Sequence, residues 1–201
     1  KGYDLIIHDT VSGESIKIVD AYYSNNGYRY LENIEFEDTS WKKEDLKNQV
    51  VNVYGTDGDN SLSSNSYYNF AGDEIYYAGA GDDNIYASVG KDIVYGGAGT
   101  DSIDGGSGDD VLYGEEGNDY LYGGDGDDIL VAGAGNDYME GGAGSDTYIH
   151  VRGEGNSTIN NYDTSLTRAN DKLVLQGINS NEVSIERKGY DLIIHDTVSG
   201  E

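Results

Sequence analysis

The sequence contains no cysteine and no proline, and it has only 12 lysines and arginines against 38 aspartates and glutamates. Without cysteine the chain has no disulfide, no thiolate metal site and no cysteine nucleophile. No apolar run approaches the roughly 18 residues of a membrane-spanning helix, and no signal-like N-terminus is visible. Because the chain starts at Lys1 without a methionine, we expect it to be a piece of a longer protein.

The acidic excess gives a formal net charge of −26. Nucleic acids, anionic lipids and acidic polysaccharides are bound mainly by lysine and arginine, so we predict no nucleic-acid partner and no membrane insertion by this segment. A chain of this charge repels itself into disorder unless something neutralises it. The composition therefore favours cations as partners.

A nine-residue repeat dominates the middle of the chain. From Asn69, consecutive frames begin at positions 69, 78, 87, 96, 105, 114, 123, 132 and 141. Position four is always glycine, position six is always acidic, and position eight is always apolar or tyrosine. A flexible acidic linker would not keep an apolar residue in every frame. The stretch from Asp57 also lacks the glycine and glutamate that an EF-hand loop requires.

These columns predict a local structure. Glycines at positions one, two and four allow a tight turn with positive φ and unobstructed carbonyls. Positions seven to nine form a short strand of which only position eight faces inward. Frames two apart then stack on the same side, and their aligned turns bring together carboxylate and carbonyl oxygens, the ligands of a hard cation.

The GGxGxDxUx columns resemble the haemolysin-type calcium-binding repeats of RTX (repeats-in-toxin) proteins. The resemblance implies an all-β fold, a right-handed parallel β-roll of the β-helix-like solenoid type, with calcium ions along both turn edges. It also implies type I secretion, with folding on calcium binding outside the cell. We therefore expect a secreted protein, extracellular or on the bacterial cell surface.

The resemblance assigns metal ligands frame by frame, for about five to seven calcium ions. One turn edge uses Asp83, Asp101, Asp119 and Asp137, and the other uses Asp92, Asp110, Asp128 and Asp146, with Glu74 as a poor first member. The turn glycines assigned to the sites are Gly96, Gly97, Gly99, Gly105, Gly106, Gly108, Gly114, Gly117, Gly123, Gly124, Gly126, Gly133, Gly135, Gly142 and Gly144. Frames 69 and 87 depart from the pattern, so sites at that end are weaker.

The flanks resemble the β-rich domain that follows such repeats in large RTX exoproteins. We predict the back half of this domain as an N-terminal cap over 1–48, the calcium-binding roll over 49–149, and the front half as a C-terminal cap over 150–201. The predicted elements are strands at Tyr3–His8, Ser15–Val19, Tyr30–Phe36, Asp171–Gln176, Val183–Arg187 and Tyr190–His195, and a short helix at Lys43–Asn48.

Residues 1–14, KGYDLIIHDTVSGE, recur identically at 188–201, an offset of 187 residues. This duplication predicts a tandem block of that length in the parent protein. The split flanking domain then pairs between neighbouring copies of the module, or each half caps its own end of the roll.

Catalytic motifs are missing from the sequence: it has neither HExxH nor GxSxG, and we expect no enzymatic activity. We expect a structural repeat of a large exported toxin or adhesin. The alternatives are an adhesive module that uses an exposed tyrosine-rich sheet, and a carrier domain of a secreted enzyme. One outer face, from Ile75 and Tyr77 to Thr147 and Ile149, is apolar enough that we expect a cover over it.

Overall fold

The computed structural model describes residues 5–8, 15–18, 33–35, 40–42, 51–63, 72–162, 169–188 and 191–198. They belong to two compact units, residues 1–48 and residues 49–201. Among the described residues no helix is long and apolar enough to cross a membrane. The strands are β1 (Leu5–His8), β2 (Ser15–Ile18), β3 (Asn33–Glu35), β4 (Ser40–Lys42), β5 (Val51–Thr56), β6 (Ser61–Ser63), β7 (Glu74–Ala80), β8 (Asn84–Tyr86), β9 (Ile93–Ala98), β10 (Ser102–Ser107), β11 (Val111–Glu116), β12 (Tyr120–Asp125), β13 (Ile129–Ala143), β14 (Thr147–Val151), β15 (Gly155–Asn160), β16 (Lys172–Gln176), β17 (Val183–Lys188) and β18 (Asp191–Asp196).

The first unit contains two antiparallel strand pairs among its described residues. β1 pairs with β2, with Ile7 opposite Ile16, and β3 pairs with β4, with Ile34 opposite Trp41. The predicted strands at Tyr3–His8 and Ser15–Val19 overlap β1 and β2. The predicted helix at Lys43–Asn48 lies outside the described residues.

The second unit is built around a parallel solenoid. One sheet runs β5-β7-β9-β11-β13-β14-β16, and the other runs β6-β8-β10-β12-β13-β15. The long strand β13 belongs to both. Leu112 lies opposite Val94 on one side and Leu130 on the other, so successive rungs of a sheet are two nine-residue frames apart. This architecture confirms the predicted all-β fold and parallel β-roll.

The roll differs from the prediction in strand length and in extent. β9 runs from Ile93 to Ala98, so it covers positions seven to nine and continues over the first three positions of the next frame. The predicted roll ends at residue 149, whereas in the structure β16 stacks in parallel on β14 and carries the roll to Gln176. Parallel pairing needs only a strand in register, and the segment that ends in β16 supplies one without the glycine-rich repeat.

The core is a single file of position-eight side chains, each between 0 and 3 % exposed. Its members are Tyr76, Ile85, Val94, Ile103, Leu112, Leu121, Leu130, Met139 and Tyr148. The prediction that position eight is the inward-facing residue of positions seven to nine is confirmed. Strand alternation also turns positions six and one inward, which the prediction did not include. Position six is a buried acid in every frame, and position one is buried as Ala78, Ala87 or Ala132 in three of them.

The apolar outer face carries a stacked row of tyrosines. Tyr54, Tyr77, Tyr95 and Tyr113 follow one another with ring centroids 5.3, 5.2 and 4.9 Å apart. The face is neither fully covered nor fully solvated, since Tyr77 is 40 % and Ile129 is 37 % exposed. Stacking on equivalent residues of adjacent rungs therefore removes part of this apolar surface from water without a separate cover.

A hairpin of β17 and β18 follows the roll, with Ile185 opposite Ile194. Arg152, directly after β14, holds the open end of this hairpin. Its Nε lies 2.6 Å from Asp196 Oδ2, and its Nη2 lies 2.8 Å from Glu182 Oε2. One guanidinium thus ties the last residue of β18 and the residue before β17 to the end of the roll.

We expect Leu112→Ala to lower the free energy of unfolding by about 2–5 kcal/mol, because it leaves a cavity in a core only one side chain thick. Val89→Ala is the matched control, since Val89 is 48 % exposed, and it should cost about 0.5 kcal/mol or less. Urea unfolding of both variants in saturating calcium measures the difference. Equal losses would contradict the assignment of position eight as the core.

Candidate metal centre

The position-six acids form two rows, one along each turn edge. In both rows the backbone N–H of one acid donates to Oδ1 of the aspartate 18 residues further along. The first row joins Asp83 to Asp101, Asp101 to Asp119 and Asp119 to Asp137, at 2.9, 2.9 and 3.0 Å. The second joins Glu74 to Asp92, Asp92 to Asp110, Asp110 to Asp128 and Asp128 to Asp146, at 2.6, 2.8, 2.8 and 3.0 Å. The structure thus brings the predicted acids together as predicted from the frames.

In most of these carboxylates the second oxygen is buried without a hydrogen-bond partner in the described part of the chain. This holds for Oδ2 of Asp83, Asp92, Asp101, Asp110, Asp119, Asp128 and Asp137, and for both carboxylate oxygens of Glu74. A buried carboxylate oxygen with no partner is strongly unfavourable when it is ionised. The rows therefore need either protons or cations.

Burial raises the pKa above the ordinary 3.8 of aspartate in six of these carboxyls: Asp92, Asp101, Asp110, Asp119, Asp128 and Asp137. The pKa reaches about 7 in Asp110, Asp119 and Asp128, and about 6 in Asp92 and Asp101. In Glu74 burial, and then the negative charge of Asp92, raises the pKa to about 8. Without a counter-ion the roll thus disfavours the charged form of its own acids.

The unpaired oxygens face a space that the position-one glycines leave open. A Cβ on Gly96 would stand 2.6 Å from Asp101 Oδ2 and 2.8 Å from the carbonyl oxygen of Gly114 in the next coil. Gly105, Gly114 and Gly123 repeat this arrangement with Asp110, Asp119 and Asp128. A carboxylate oxygen and a carbonyl oxygen around one small space are ligands that suit Ca²⁺. The donor set present therefore fits that ion.

Glycines at positions two and four serve a different purpose, which is the close stacking of coils. Gly97 has φ +107° and Gly108 has φ +131°, and a Cβ on either would overlap the carbonyl oxygen of the coil beneath, at Gly79 and Gly90. Most predicted turn glycines share this left-handed conformation: Gly97, Gly99, Gly106, Gly108, Gly117, Gly124, Gly126, Gly133, Gly135, Gly142 and Gly144. Glu115 adopts φ 75° at the same position without being glycine, which is a strained conformation.

Sequence reasoning missed residues that extend the rows. The N–H of Asp146 donates to Asp171 Oδ1 at 3.0 Å, and the N–H of Asn60 donates to Asp83 Oδ1 at 2.6 Å. Asp171 lies outside the repeat, and its only signal is an acid two residues before the apolar Leu173, which is the spacing of positions six and eight. The described residues contain no cluster of three or more His, Cys, Asp or Glu side chains that could hold a metal. A cation bound here would therefore need backbone carbonyl oxygens as well as carboxylates as its ligands.

The geometry defines an acidic parallel β-roll with carboxylates in its turns, and comparison with known families agrees. The model of the RTX calcium-binding nonapeptide repeat (4 copies) matches residues 68–103, 95–130 and 113–148. The model of the haemolysin-type calcium binding protein related domain matches residues 4–45. No curated protein matches the chain. The chain therefore carries a block of RTX haemolysin-type calcium-binding repeats.

We expect Asp110→Asn to raise the calcium concentration at the folding midpoint severalfold. The amide keeps an acceptor for the Asp92 N–H but removes the charge that faces the Gly105 space. Asp128→Asn should act in the same way on the same edge. Asp125→Asn, an exposed position-three residue, is the charge-matched control, and calcium titration followed by circular dichroism measures all three. Midpoints equal to that of the unmodified chain would refute Asp110 and Asp128 as ligands.

In metal-free protein we expect the stability of the roll to fall as the pH rises from about 5 to 8. The folded-state pKa values of about 6 to 7 exceed the ordinary 3.8, so the folded roll holds protons that the unfolded chain has released. This stabilisation is complete below a pH of about 4 and is lost as the pH passes through the folded values. Far-UV circular dichroism in a chelator across this pH range measures the fraction of β-structure, which should be highest at the acid end, and Asp110→Asn should weaken the dependence on pH. A rise in stability over this range would contradict the prediction.

Proposed function

We propose that the chain is a non-enzymatic module that folds on calcium binding after export by a type I secretion system. In this proposal it is one structural repeat of a large bacterial toxin or adhesin, and it acts outside the cell or on its surface. The observation that supports the proposal is the pair of carboxylate rows, in which one oxygen holds the next coil and the other lies buried without a partner.

Calcium supplies what the rest of the roll lacks. The hydrophobic core is one side chain wide, and the acids beside it are 0 to 3 % exposed. Repulsion and desolvation oppose the closing of the coils until a cation neutralises the carboxylates, so the free energy of ion binding becomes free energy of folding. A module of this kind stays unfolded where calcium is scarce and folds where it is abundant.

The number of ions follows from the frames. Five of the nine frames begin with glycine, at Gly96, Gly105, Gly114, Gly123 and Gly141, which leaves the space beside the aspartate open. The frames that begin at Ala78, Ala87 and Ala132 place a methyl group there. We expect about five to seven ions, with the strongest sites in the glycine-led frames.

An adhesive role for the stacked row of tyrosines on the apolar outer face has less support. The rings of Tyr77 and Tyr95 lie nearly parallel at an interplanar angle of 6°, so their faces are occupied by each other. A glycan or an aromatic partner that stacks on ring faces would meet mainly ring edges on this sheet.

The decisive experiment is far-UV circular dichroism of the chain during a calcium titration. We expect a cooperative transition from coil to β-structure, because each coil supplies the hydrogen-bond donors and the site oxygens of its neighbour. Magnesium, which demands tighter octahedral geometry, should not produce it at equal concentration.

A chelator should reverse the transition. A β-rich spectrum that is unchanged by exhaustive chelation would contradict calcium-dependent folding, and an equal response to magnesium would contradict selectivity for calcium. Isothermal titration on the same samples counts the ions and checks the expected number.

A further inference from the structure

One sequence forms a strand twice in this chain, with different partners. Leu5–His8 in β1 pairs with β2, which follows it, and Leu192–His195 in β18 pairs with β17, which precedes it. The two copies belong to the identical segments 1–14 and 188–201. Among the described strands each copy has one partner, in a sheet of two strands.

The outer edge of β18 carries backbone groups that face away from β17. The N–H of Thr197 donates to the carbonyl oxygen of Glu182 at 2.7 Å, in register with the pairing of Val183 and Asp196. Hydrogen-bonded and non-bonded positions alternate in an antiparallel pair. The N–H and C=O groups of Leu192 and Ile194 therefore point to the edge that no described strand occupies.

The side chains of this hairpin also indicate a missing neighbour. Ile185 is 66 % exposed and its cross-strand partner Ile194 is 38 % exposed. Two-stranded hairpins are marginal in water, and a third strand with an apolar face stabilises them. At Leu192 and Ile194 the edge of β18 thus has no neighbouring strand among the described residues, and the hairpin beside it is apolar.

We propose that this edge binds strand β2 of a second copy of the chain, with β18 taking the place of that copy's own β1. The register follows from the pairing that the same sequence already makes with β2, which puts Ile194 opposite Ile16 and His195 opposite Ser15. The exchange is conservative, because β1 and β18 offer β2 an identical strand. It replaces a two-stranded hairpin with a three-stranded sheet in which Ile185, Ile194 and Ile16 form one row.

This contact is head-to-tail, since it joins the C-terminal hairpin of one copy to the N-terminal unit of the next. The Arg152 clamp on Glu182 and Asp196 fixes the hairpin to the roll, so the exchange links successive rolls in series. The inference goes beyond the proposed function and depends only on a folded hairpin.

Cysteine cross-linking tests the register, because the chain has no cysteine of its own. In the proposed sheet residues 17 and 193 form a non-hydrogen-bonded pair, the closer of the two kinds of pair. Lys17→Cys with Ile193→Cys should give reducible dimers and higher species in glutathione disulfide, at least about tenfold faster than Lys17→Cys with Ile194→Cys. The control pair is one residue out of register and on opposite faces.

Equal rates for the two pairs, or a disulfide formed only within one chain, would overturn the proposal. Ser15→Cys with His195→Cys repeats the test at a second in-register pair, should the first variant fold poorly. Sedimentation equilibrium of the unmodified chain in calcium should show a mass that rises with concentration, and a constant monomer mass also overturns the inference. If the calcium transition persists while these tests fail, the strand exchange is wrong and the proposed function stands.

Discussion

The roll depends on carboxylates whose two oxygens have different roles. In Asp101, Asp110, Asp119 and Asp128 one oxygen accepts the N–H of the neighbouring coil, which fixes the rung spacing, while the other oxygen is left buried beside a backbone carbonyl. The same side chain is therefore a structural hydrogen-bond acceptor and a metal ligand candidate. Because the two uses share one group, coil stacking and neutralisation of charge are inseparable, and this accounts for an acidic chain with so narrow a core.

Much of this arrangement could be predicted from the sequence, since a nine-residue period fixes which residues repeat on each edge. The period alone predicts which acids belong to each row. It also predicts the core side chains at position eight, from Tyr76 to Tyr148. It did not reveal that strand alternation buries positions six and one together with eight, nor that the strands continue into the turns. Asp171 was not predicted as a member of a row, because one aspartate in register can extend a row without any of the glycines by which the repeat is recognised.

The ends of the molecule could be predicted less well, and for a physical reason. A strand has two edges, and sequence seldom says which edge takes which neighbour. The segment KGYDLIIHDTVSGE is the extreme case, because one sequence pairs with a following strand at one end and with a preceding strand at the other. The proposed three-stranded sheet combines the two registers, with Ile16 on one side of this strand and Ile185 on the other.

Because frames two apart stack on the same sheet, the effect of a deletion depends on whether it removes an odd or an even number of frames. Removal of eighteen residues from the repeat would delete one whole coil and leave each remaining residue on the sheet and edge where it was. Removal of one frame, 114–122, would transfer all later frames to the opposite sheet, so that Tyr113 would be followed on its own sheet by Glu140 instead of Val131. Insertions and deletions therefore preserve the outer faces of both sheets only when they add or remove whole coils.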